Sequence, residues 1–389
     1  MSPTTVIFVT VFIDLVGFGI IIPLMPFYAE QFGASALAVG LLSTSFSFMQ
    51  FVFAPFWGRL SDRIGRRPII LLGLFGSFLS YLIFGLATSL TVLFIARICA
   101  GIAGANIATA QAYIADVTTP ENRAKGMGLV GAAFGLGFIF GPAIGGFLSQ
   151  WGYQVPSFFA SALSLANFAV AWFVLPESRP AAVGPSRSTS RLDVFRAALT
   201  RRHLPLLLCI YFLVISSFSS FEATFALFSG RRFGFNATTI GYIFAFVGVI
   251  LSLVQGALVG RVVRRVGEYR VVPPAILVLA AGLALVPVSR GMGVLLFAMA
   301  LLSVGMGFNS PSITSLISRT SRADEQGGIL GLSQSVASLA RIIGPAAGGY
   351  VYDRYGMVTP YVGAALLMGV AFLLSLMAAS RRAADPLHG

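Results

Sequence analysis

The sequence predicts an all-α membrane protein in which twelve transmembrane helices form two pseudo-symmetric six-helix bundles around a central cavity. The first observation is composition: of 389 residues, 57% are hydrophobic and only 10% are charged, with a mean hydropathy of +0.88. Soluble domains carry about 25% charged residues, so a soluble protein of this composition would lack polar surface to face water. The second observation is a series of twelve long apolar stretches. The third is a repeat that relates the two halves of the chain.

The twelve spans follow from stretch length, because a transmembrane helix needs about 20 apolar residues. The first stretch, MSPTTVIFVTVFIDLVGF, has no basic residues ahead of its apolar run, so we expect a retained span and not a cleaved signal peptide. The predicted spans are 4–28, 35–57, 68–88, 91–115, 124–149, 155–175, 204–229, 237–260, 271–289, 292–318, 327–351 and 357–379.

One connection is much longer than the others and divides the spans six and six. Residues 176–203 are rich in Pro, Ser and Arg, which is typical of a flexible linker. We expect a cytoplasmic linker that ends in a short amphipathic piece on the membrane surface. The predicted domains are therefore an N-terminal bundle, 1–175, and a C-terminal bundle, 204–389.

The net charge of +13 is explained by topology, and a nucleic-acid partner is not needed to account for it. Most Lys and Arg residues lie in the loops after even-numbered spans and at the C-terminus, and cytoplasmic loops are the ones enriched in these residues. Both termini are thus expected in the cytoplasm. Arg far outnumbers Lys, which favours a GC-rich bacterial source and hence a bacterial cytoplasmic (cell inner) membrane.

The repeat between the two halves is visible in a glycine–proline motif within a span and in a basic segment that follows a span. GPAIGG, which begins at Gly141, recurs as GPAAGG from Gly344, and GRLSDRIGRRP at 58–68 has an echo in GRVVRRVGEYR at 260–270. Two six-span repeats around a binding site are typical of secondary transporters.

The sequence contains no pattern that predicts catalysis, a cofactor or a metal site. It has no H-E-x-x-H and no P-loop, so neither zinc chemistry nor ATP drive within this chain is expected. Histidine occurs only at His203 and His388, and the two cysteines, Cys99 and Cys209, lie in separate apolar runs. We therefore expect a transporter that is not an enzyme.

Four motifs together resemble the major facilitator superfamily. The segment 58–67 matches its signature G-x-L-x-D-R-x-G-R-R, and span 4 carries Arg97 and Gly101 in the pattern R-x-x-x-G. Span 5 carries GAAFGLGFIFGPAIGG, similar to the glycine–proline motif of the family's antiporters, and span 1 carries DLVGFGIIIPLMP. The last pattern resembles the twelve-span drug:proton antiporters, most of all the tetracycline-efflux group. The resemblance implies proton-coupled drug efflux by alternating access, and a role for Arg97 in proton transfer.

Four charged residues fall within the predicted spans, where ionisable groups are costly and are functional candidates by default: Asp14, Arg97, Glu222 and Arg341. Asp14, near mid-membrane, is a candidate proton carrier, the alternative being a permanent structural hydrogen bond. Glu222 has Phe218 and Phe225 at i−4 and i+3, an arrangement that suits a lipophilic cation. It is equally a candidate proton carrier, or an acid that reaches water at the outer mouth of the span.

The two arginines have open alternatives. For Arg97 the alternative to proton transfer is a structural pair with a backbone carbonyl or an acid. Arg341 is predicted to pair with Asp14 or Glu222, or to contact an anionic substrate group. The residues predicted to line the substrate cavity are Phe18, Asn106, Gln111, Ser217, Phe218, Phe225, Asn309 and Arg341, with Gln50, Gln255 and Gln334 as further candidates on neighbouring spans.

A third group of residues is predicted to govern conformational change. The repeat exchanges the signs of one pair, which predicts two analogous salt bridges, Arg66–Asp116 and Glu268–Arg319. Asp62 has no acidic counterpart in the second half, and the resemblance places it against the start of span 11 as a cytoplasmic latch. Glycine spacing on span 5 predicts a tight, movable seam with the second half, or else ordinary close packing. The full gating set is Gly58, Asp62, Arg63, Gly65, Arg66, Asp116, Glu268, Arg319, Gly141, Pro142 and Gly145.

The sequence is compatible with two transport functions. The first is proton-coupled efflux of amphipathic small molecules, with the lipid bilayer as environment, protons as co-substrate and a monomer as the functional unit. The second is transport of a defined metabolite, such as an organic anion, sugar or peptide, on the same fold. Tetracycline-efflux proteins place acids within spans 3 and 9, and the predicted spans 3 and 9 contain none here, so recognition of a metal–tetracycline complex is not expected.

Overall fold

The computed structural model describes residues 3–105, 107–119, 123–178, 203–320 and 326–383. The helices of these residues are α1 Pro3–Ile21, α2 Met25–Gln31, α3 Ala36–Ile64, α4 Arg66–Gly85, α5 Leu90–Gly104, α6 Ile107–Val117, α7 Arg123–Leu148, α8 Gln154–Val174, α9 Leu204–Phe233, α10 Ala237–Leu253, α11 Val259–Val266, α12 Glu268–Val288, α13 Met292–Arg319, α14 Gln326–Tyr355 and α15 Thr359–Ala383. A 3-10 turn, Ser149–Trp151, follows α7, and a π-helical turn, Val254–Leu258, joins α10 to α11. Most of the predicted linker, including its amphipathic end, lies outside the described residues.

The prediction of twelve spans is confirmed. Within the described residues, twelve helical stretches are long and apolar enough to cross a membrane: Thr4–Ile21, Ala36–Ile64, Arg66–Gly85, Leu90–Val117, Gly128–Trp151, Gln154–Val174, Leu204–Phe233, Ala237–Val266, Glu268–Val288, Met292–Arg319, Gly328–Tyr355 and Thr359–Ser380. The chain is an integral membrane protein of the all-α class.

The first span is shorter than predicted. The apolar stretch continues to residue 28, but α1 ends at Ile21 and a separate short helix, α2, follows. Pro23 and Pro26 explain the break, because proline lacks a backbone N–H and disfavours helical geometry in the residue before it. Hydropathy alone cannot locate such an end, since the residues on both sides of it are equally apolar.

The described chain packs as two compact units. The first unit contains residues 3–178 together with 225–248, and the second contains 203–224 together with 249–383. The C-terminal part of α9 and most of α10 therefore pack with the first unit, although they follow the linker in sequence. The division of the chain at residues 175 and 204 stays a prediction.

Glycines on α7 bring its backbone directly against α1 in the first unit. A Cβ added to Gly137 would lie 2.8 Å from the Cβ of Leu15, and one added to Gly141 would lie 2.6 Å from the Cα of Gly19. Gly145, one turn further, faces Ile20 in the same way. Glycine spacing of four residues along one helix face permits this approach. The repeated motif behaves alike in the second unit, where a Cβ on Gly344 of α14 would meet the carbonyl oxygen of Ser216 in α9 and lie 3.2 Å from its Cα.

We expect Gly141→Ala to destabilise the protein by about 1–3 kcal/mol, because a methyl group at this position overlaps the α1 backbone and forces the two helices apart. Gly131→Ala is the matched control. It changes the same residue type in the same helix, but a Cβ at Gly131 meets nothing within 4 Å. Thermal unfolding in detergent measures both variants, and equal unfolding temperatures would contradict the described packing.

Candidate functional site

Asp14 lies deep in the first unit, with part of its side chain still accessible. Ser77, a buried residue of α4, is hydrogen-bonded to the Asp14 carboxylate. The carboxylate is therefore neither sealed in protein nor free at a surface. A group in this position can be held by a neighbour and still exchange a proton with water that reaches it.

Tyr81 lies one turn beyond Ser77 on the same face of α4. Its ring rests on the backbone of α1 at Gly17, because a Cβ at Gly17 would lie 3.0 Å from the ring carbon Cε2 and 3.2 Å from the hydroxyl oxygen. Tyr81 is 7% exposed and interacts electrostatically with both Asp14 and Arg97. The absence of a side chain at Gly17 thus determines where this hydroxyl lies.

Arg97 is buried in α5 and stacks on an aromatic ring of α3. Its Cζ atom lies 4.4 Å from the ring centroid of Phe46, a cation–π arrangement. Gly101, one turn along α5, makes this contact possible, since a Cβ there would lie 2.8 Å from the Cβ of Met49 and would also meet the Phe46 carbonyl. The two residues of the R-x-x-x-G pattern therefore act together: Gly101 lets α3 approach closely enough for the Phe46 ring to stack against Arg97.

Three phenylalanines from three helices form an aromatic cluster beside these charges. Phe18 of α1 lies 5.3 Å from Phe46 and 6.2 Å from Phe138 of α7, between ring centroids. All three are only partly buried. Phe18 was predicted to line the cavity, whereas Phe46 and Phe138 were missed because their pairing depends on which helices adjoin. Gln111 of α6 is partly buried too, and Asn106 lies outside the described residues.

Span 4 is interrupted between α5 and α6, and side chains of α3 satisfy the carbonyls at the break. Trp57 Nε1 donates to the Ile102 carbonyl at 2.8 Å, and Gln50 Nε2 donates to the Gly104 carbonyl at 3.0 Å. Carbonyls at a helix end have no partner within the helix, and inside a membrane they must find one elsewhere. Gln50, a candidate cavity residue, thus holds the backbone of a broken span.

The second unit contains a comparable group of polar residues. Arg341 of α14 is partly accessible and interacts electrostatically with Glu222 and Tyr211. Its Nη2 atom also makes a long contact, 3.5 Å, with Ser338 Oγ. Tyr211 is itself hydrogen-bonded to Thr314. Of the alternatives predicted for Arg341, the structure supports proximity to Glu222.

The predicted cavity residues of the second half differ in burial. Phe218 is partly buried and lies 5.8 Å from Phe221, so it remains available beside Glu222. Phe225 is fully buried with its ring edge-on to Phe244, and therefore exposes no surface to a ligand. Ser217 and Asn309 are likewise almost or completely buried. Among the described residues, neither polar atom of the Asn309 side chain has a hydrogen-bond partner, an arrangement that costs about 1–3 kcal/mol.

The two ion pairs predicted from the repeat are both present. In the first unit Arg66 Nε lies 3.1 Å from Asp116, Nη2 lies 2.8 Å from Asp62, and Nη1 donates to Ser61. We call this group the Arg66 brace. In the second unit Arg319 lies 2.9 Å from Glu268, which also accepts a hydrogen bond from Ser315. The environments differ greatly, since the side chain of Arg66 is 8% exposed and that of Arg319 is 65% exposed.

Glu177 completes the brace and was missed by the sequence analysis. Its carboxylate accepts the backbone N–H groups of Arg66, at 2.8 Å, and Arg67, at 3.2 Å, which are the first two residues of α4. A carboxylate is favourable there because the N-terminus of a helix carries a partial positive charge. Gly65, with φ +102°, makes the turn that brings these N–H groups to Glu177. The only sequence signal was an acid directly after span 6.

The remaining gating residues occupy varied positions. Asp62 is half-exposed, Arg63 is exposed, and a Cβ on Gly58 would meet nothing within 4 Å. Pro142 lies within α7, next to Gly141 on the α1 face. The contact predicted between Asp62 and the start of span 11 stays a prediction.

At the opposite end of the first unit, α7 meets α10. A Cβ on Gly146 would lie 3.0 Å from the Cα of Gly241, and the hydroxyls of Ser149 and Thr238 are 3.3 Å apart. Arg231 forms an ion pair with Glu30 at 3.1 Å at the same end. A polar cleft of about 530 Å³ lies over this contact, lined by Gln31, Ser149, Gln150, Gly152, Tyr153, Gln154, Asn236, Ala237 and Thr238. Burial and then the Glu30 carboxylate raise the pKa of Tyr153, so its hydroxyl stays neutral.

We expect Arg66→Glu to lower the free energy of unfolding by about 2–3 kcal/mol, because it removes the cation and adds a carboxylate to a brace that already holds those of Asp62, Asp116 and Glu177. The triple variant Asp62→Arg, Arg66→Glu, Asp116→Arg copies the charges of the second half, where Arg264, Glu268 and Arg319 stand at these positions. It should recover most of the loss, whereas Arg63→Glu, on the exposed side of the same turn, should change little. Thermal unfolding measures all three, and a triple variant no more stable than Arg66→Glu would contradict the equivalence.

Comparisons with known proteins agree with this architecture. The profile of the Major Facilitator Superfamily matches residues 7–345 and, again, 256–388. Multidrug resistance protein 2 of Bacillus subtilis (strain 168) is 34% identical over 94% of this chain and 92% of its own length. Tetracycline resistance protein, class B, of Escherichia coli is 32% identical over 91% of this chain and 89% of its own length.

Solved structures of transporters share the fold of this chain. The human organic anion transporter MFSD10 (TETRAN) is 27% identical, with a TM-score of 0.73 over 96% of this chain and 98% of that one. The nucleoside transporter NupG (D323A mutant) shares the fold at 13% identity, with a TM-score of 0.82 over 97% of this chain and 100% of that one. The chain belongs to the Major Facilitator Superfamily of membrane transporters.

Proposed function

We propose that this protein is a proton-coupled efflux transporter of amphipathic small molecules in a bacterial cytoplasmic membrane, with both termini in the cytoplasm. The observation that carries the proposal is the position of Asp14, deep in the protein but accessible, beside the Phe18–Phe46–Phe138 cluster. An acid next to an apolar aromatic surface can bind a lipophilic cation when ionised and a proton when the cation has left. Similarity to multidrug and tetracycline resistance proteins supports this function.

Alternating access turns these contacts into transport. With the cavity open to the cytoplasm, the substrate enters, binds the aromatic cluster and displaces a proton from Asp14 or Glu222. With the cavity open to the outside, protonation of the acid weakens the attraction and the substrate leaves. Since the proton enters from outside, where its electrochemical potential is higher, each cycle drives export of the substrate.

The two ends of the first unit have distinct roles in this cycle. The α7–α10 contact at Gly146 and Gly241 and the Glu30–Arg231 pair form the outer seam, which prevents leak when the cavity faces the cytoplasm. The Arg66 brace maintains the cytoplasmic end of the N-terminal bundle. We propose that Asp62, a half-exposed member of the brace, acts as a latch that closes the cytoplasmic side.

A second candidate is transport of an organic anion on the same scaffold. Two partly or fully buried arginines, Arg97 and Arg341, favour it, because an anion would neutralise them. Similarity to a human organic anion transporter points the same way. In this case Arg341 contacts the substrate, and Glu222 serves to hold the arginine in the anion-free state.

We expect Asp14→Asn to abolish accumulation of ethidium driven by a pH gradient in proteoliposomes, while exchange of ethidium across the membrane continues. The amide retains the shape of the side chain but cannot ionise, so it cannot release or take up the coupled proton. Glu222→Gln should weaken ethidium binding about tenfold, equivalent to about 1.4 kcal/mol for a lost charge contact. Asp353→Asn, an exposed acid, is the control. Uphill transport that persists in both Asp14→Asn and Glu222→Gln would show that the coupling assignment is wrong.

A ligand panel distinguishes the two candidate functions. Thermal shift against lipophilic cations, organic anions, sugars and peptides should give stabilisation by several unrelated cations, because a ligand that binds only the folded state raises its stability. Tetracycline with Mg²⁺ should give none, since the predicted spans 3 and 9 lack the acids of that group. A single strong response to one anion would overturn the multidrug function and favour the second candidate.

A further inference from the structure

Tyr81 interacts electrostatically with both the acid and the arginine of the first unit, and no sequence motif signals it. It is 7% exposed, its ring lies against α1 at Gly17, and its hydroxyl oxygen would be 3.2 Å from a Cβ at that glycine. Gly17 follows Asp14 by three residues, so both lie on the same face of α1. Ser77, the hydrogen-bond partner of Asp14, precedes Tyr81 by one turn of α4. Geometry on both helices therefore directs the phenol toward Asp14.

Arg97 is held in place from the other side. Its guanidinium stacks 4.4 Å from the Phe46 ring, and Gly101 secures that ring by close contact between α3 and α5. Tyr81 interacts electrostatically with Arg97 as well as with Asp14. A phenol has a rotatable O–H dipole, which can point toward an ionised carboxylate and away from a protonated one. In a low-dielectric interior such a reorientation changes the potential at a neighbouring cation considerably.

We propose that Tyr81 is a positioning residue that transmits the protonation state of Asp14 to Arg97, and that Gly17 exists to seat it. This inference rests on the proposed proton-coupled transport and deepens it. A charge on Asp14 orients the hydroxyl, and the hydroxyl dipole in turn stabilises Arg97 in its present contact with Phe46. Protonation of Asp14 releases the hydroxyl, which frees Arg97 to change partners as the cavity changes its opening.

The first test needs no substrate. Infrared difference spectra of the purified protein should contain a carboxyl C=O band for protonated Asp14, which its loss in Asp14→Asn would identify. Tyr81→Phe, which removes only the hydroxyl group, should shift the frequency of that band. Tyr361→Phe is the matched control, since Tyr361 is fully buried in the second unit and hydrogen-bonded to Thr224. An Asp14 band that is unchanged in Tyr81→Phe overturns the proposal.

The second test separates coupling from folding. In proteoliposomes Tyr81→Phe should lose about tenfold in ethidium accumulation driven by a pH gradient while ethidium exchange stays within about twofold, as expected for loss of coupling between two sites. Gly17→Ala should reproduce the effect by displacing the ring, and Gly131→Ala should not. Equal loss of exchange and accumulation in folded Tyr81→Phe would indicate a merely structural residue and would overturn the proposal.

Failure of the proposed function looks different from failure of this inference. A wild-type protein that accumulates none of the cations would contradict the proposed efflux, whereas the infrared band still reports whether the Tyr81 hydroxyl acts on Asp14. Conversely, a wild-type protein that accumulates ethidium, with a Tyr81→Phe variant that does so equally well, retains the proposed function and removes Tyr81 from it.

Discussion

Direct contact between helix backbones at glycines is the constraint on which the rest of the first unit depends. In a membrane there is no hydrophobic drive between helices, so their association relies on close packing and on polar contacts. Gly137 and Gly141 bring α7 onto α1, Gly17 admits the ring of Tyr81, and Gly101 brings α3 onto α5. Each contact also locates a functional side chain. A methyl group at Gly17 or Gly101 would disturb the contacts that seat Tyr81 and Arg97, and one at Gly137 or Gly141 would separate α7 from α1.

The two units use one backbone plan with different chemistry. Gly65 and Gly267 both turn the chain with positive φ ahead of a helix, and the paired glycines of α7 and α14 pack on α1 and α9 respectively. The charges placed on that plan are not conserved between the units. The brace reverses its signs, and the acid–tyrosine–arginine group of Asp14, Tyr81 and Arg97 has a counterpart of different geometry in Glu222, Tyr211 and Arg341. A repeat is therefore a more reliable guide to where helices pack than to which residues have a functional role.

The sequence predicted the features that depend on the membrane or on the repeat. All twelve spans were predictable, because any unpaired backbone group is costly in lipid and hydropathy is thus a strong signal. Arg66–Asp116 and Glu268–Arg319 were predictable because the repeat carried a compensated sign exchange. The residues that were missed, Tyr81, Phe46 and Glu177, act through contacts between distant segments. Phe225 shows the opposite error: its helical spacing from Glu222 predicted a cavity residue, but it is completely buried, with its ring against Phe244 of α10.

The break in span 4 separates two functional residues of the same span, Arg97 of the candidate site and Asp116 of the Arg66 brace. Arg97 lies on α5, before the break, and Asp116 lies on α6, after it. An unbroken helix would carry every tilt of the brace end to the arginine. Instead, Trp57 and Gln50 of α3 hold the last carbonyls of α5, and Gly101 packs that helix against Phe46, so that α5 is tied to α3 on its own. The polar contacts that the interruption requires are thus the same ones that keep Arg97 on its aromatic support. The carbonyls at the end of α5 thus accept hydrogen bonds from α3, the helix that also supplies Ser61 and Asp62 to the Arg66 brace. Helix α3 therefore contacts both the site and the brace.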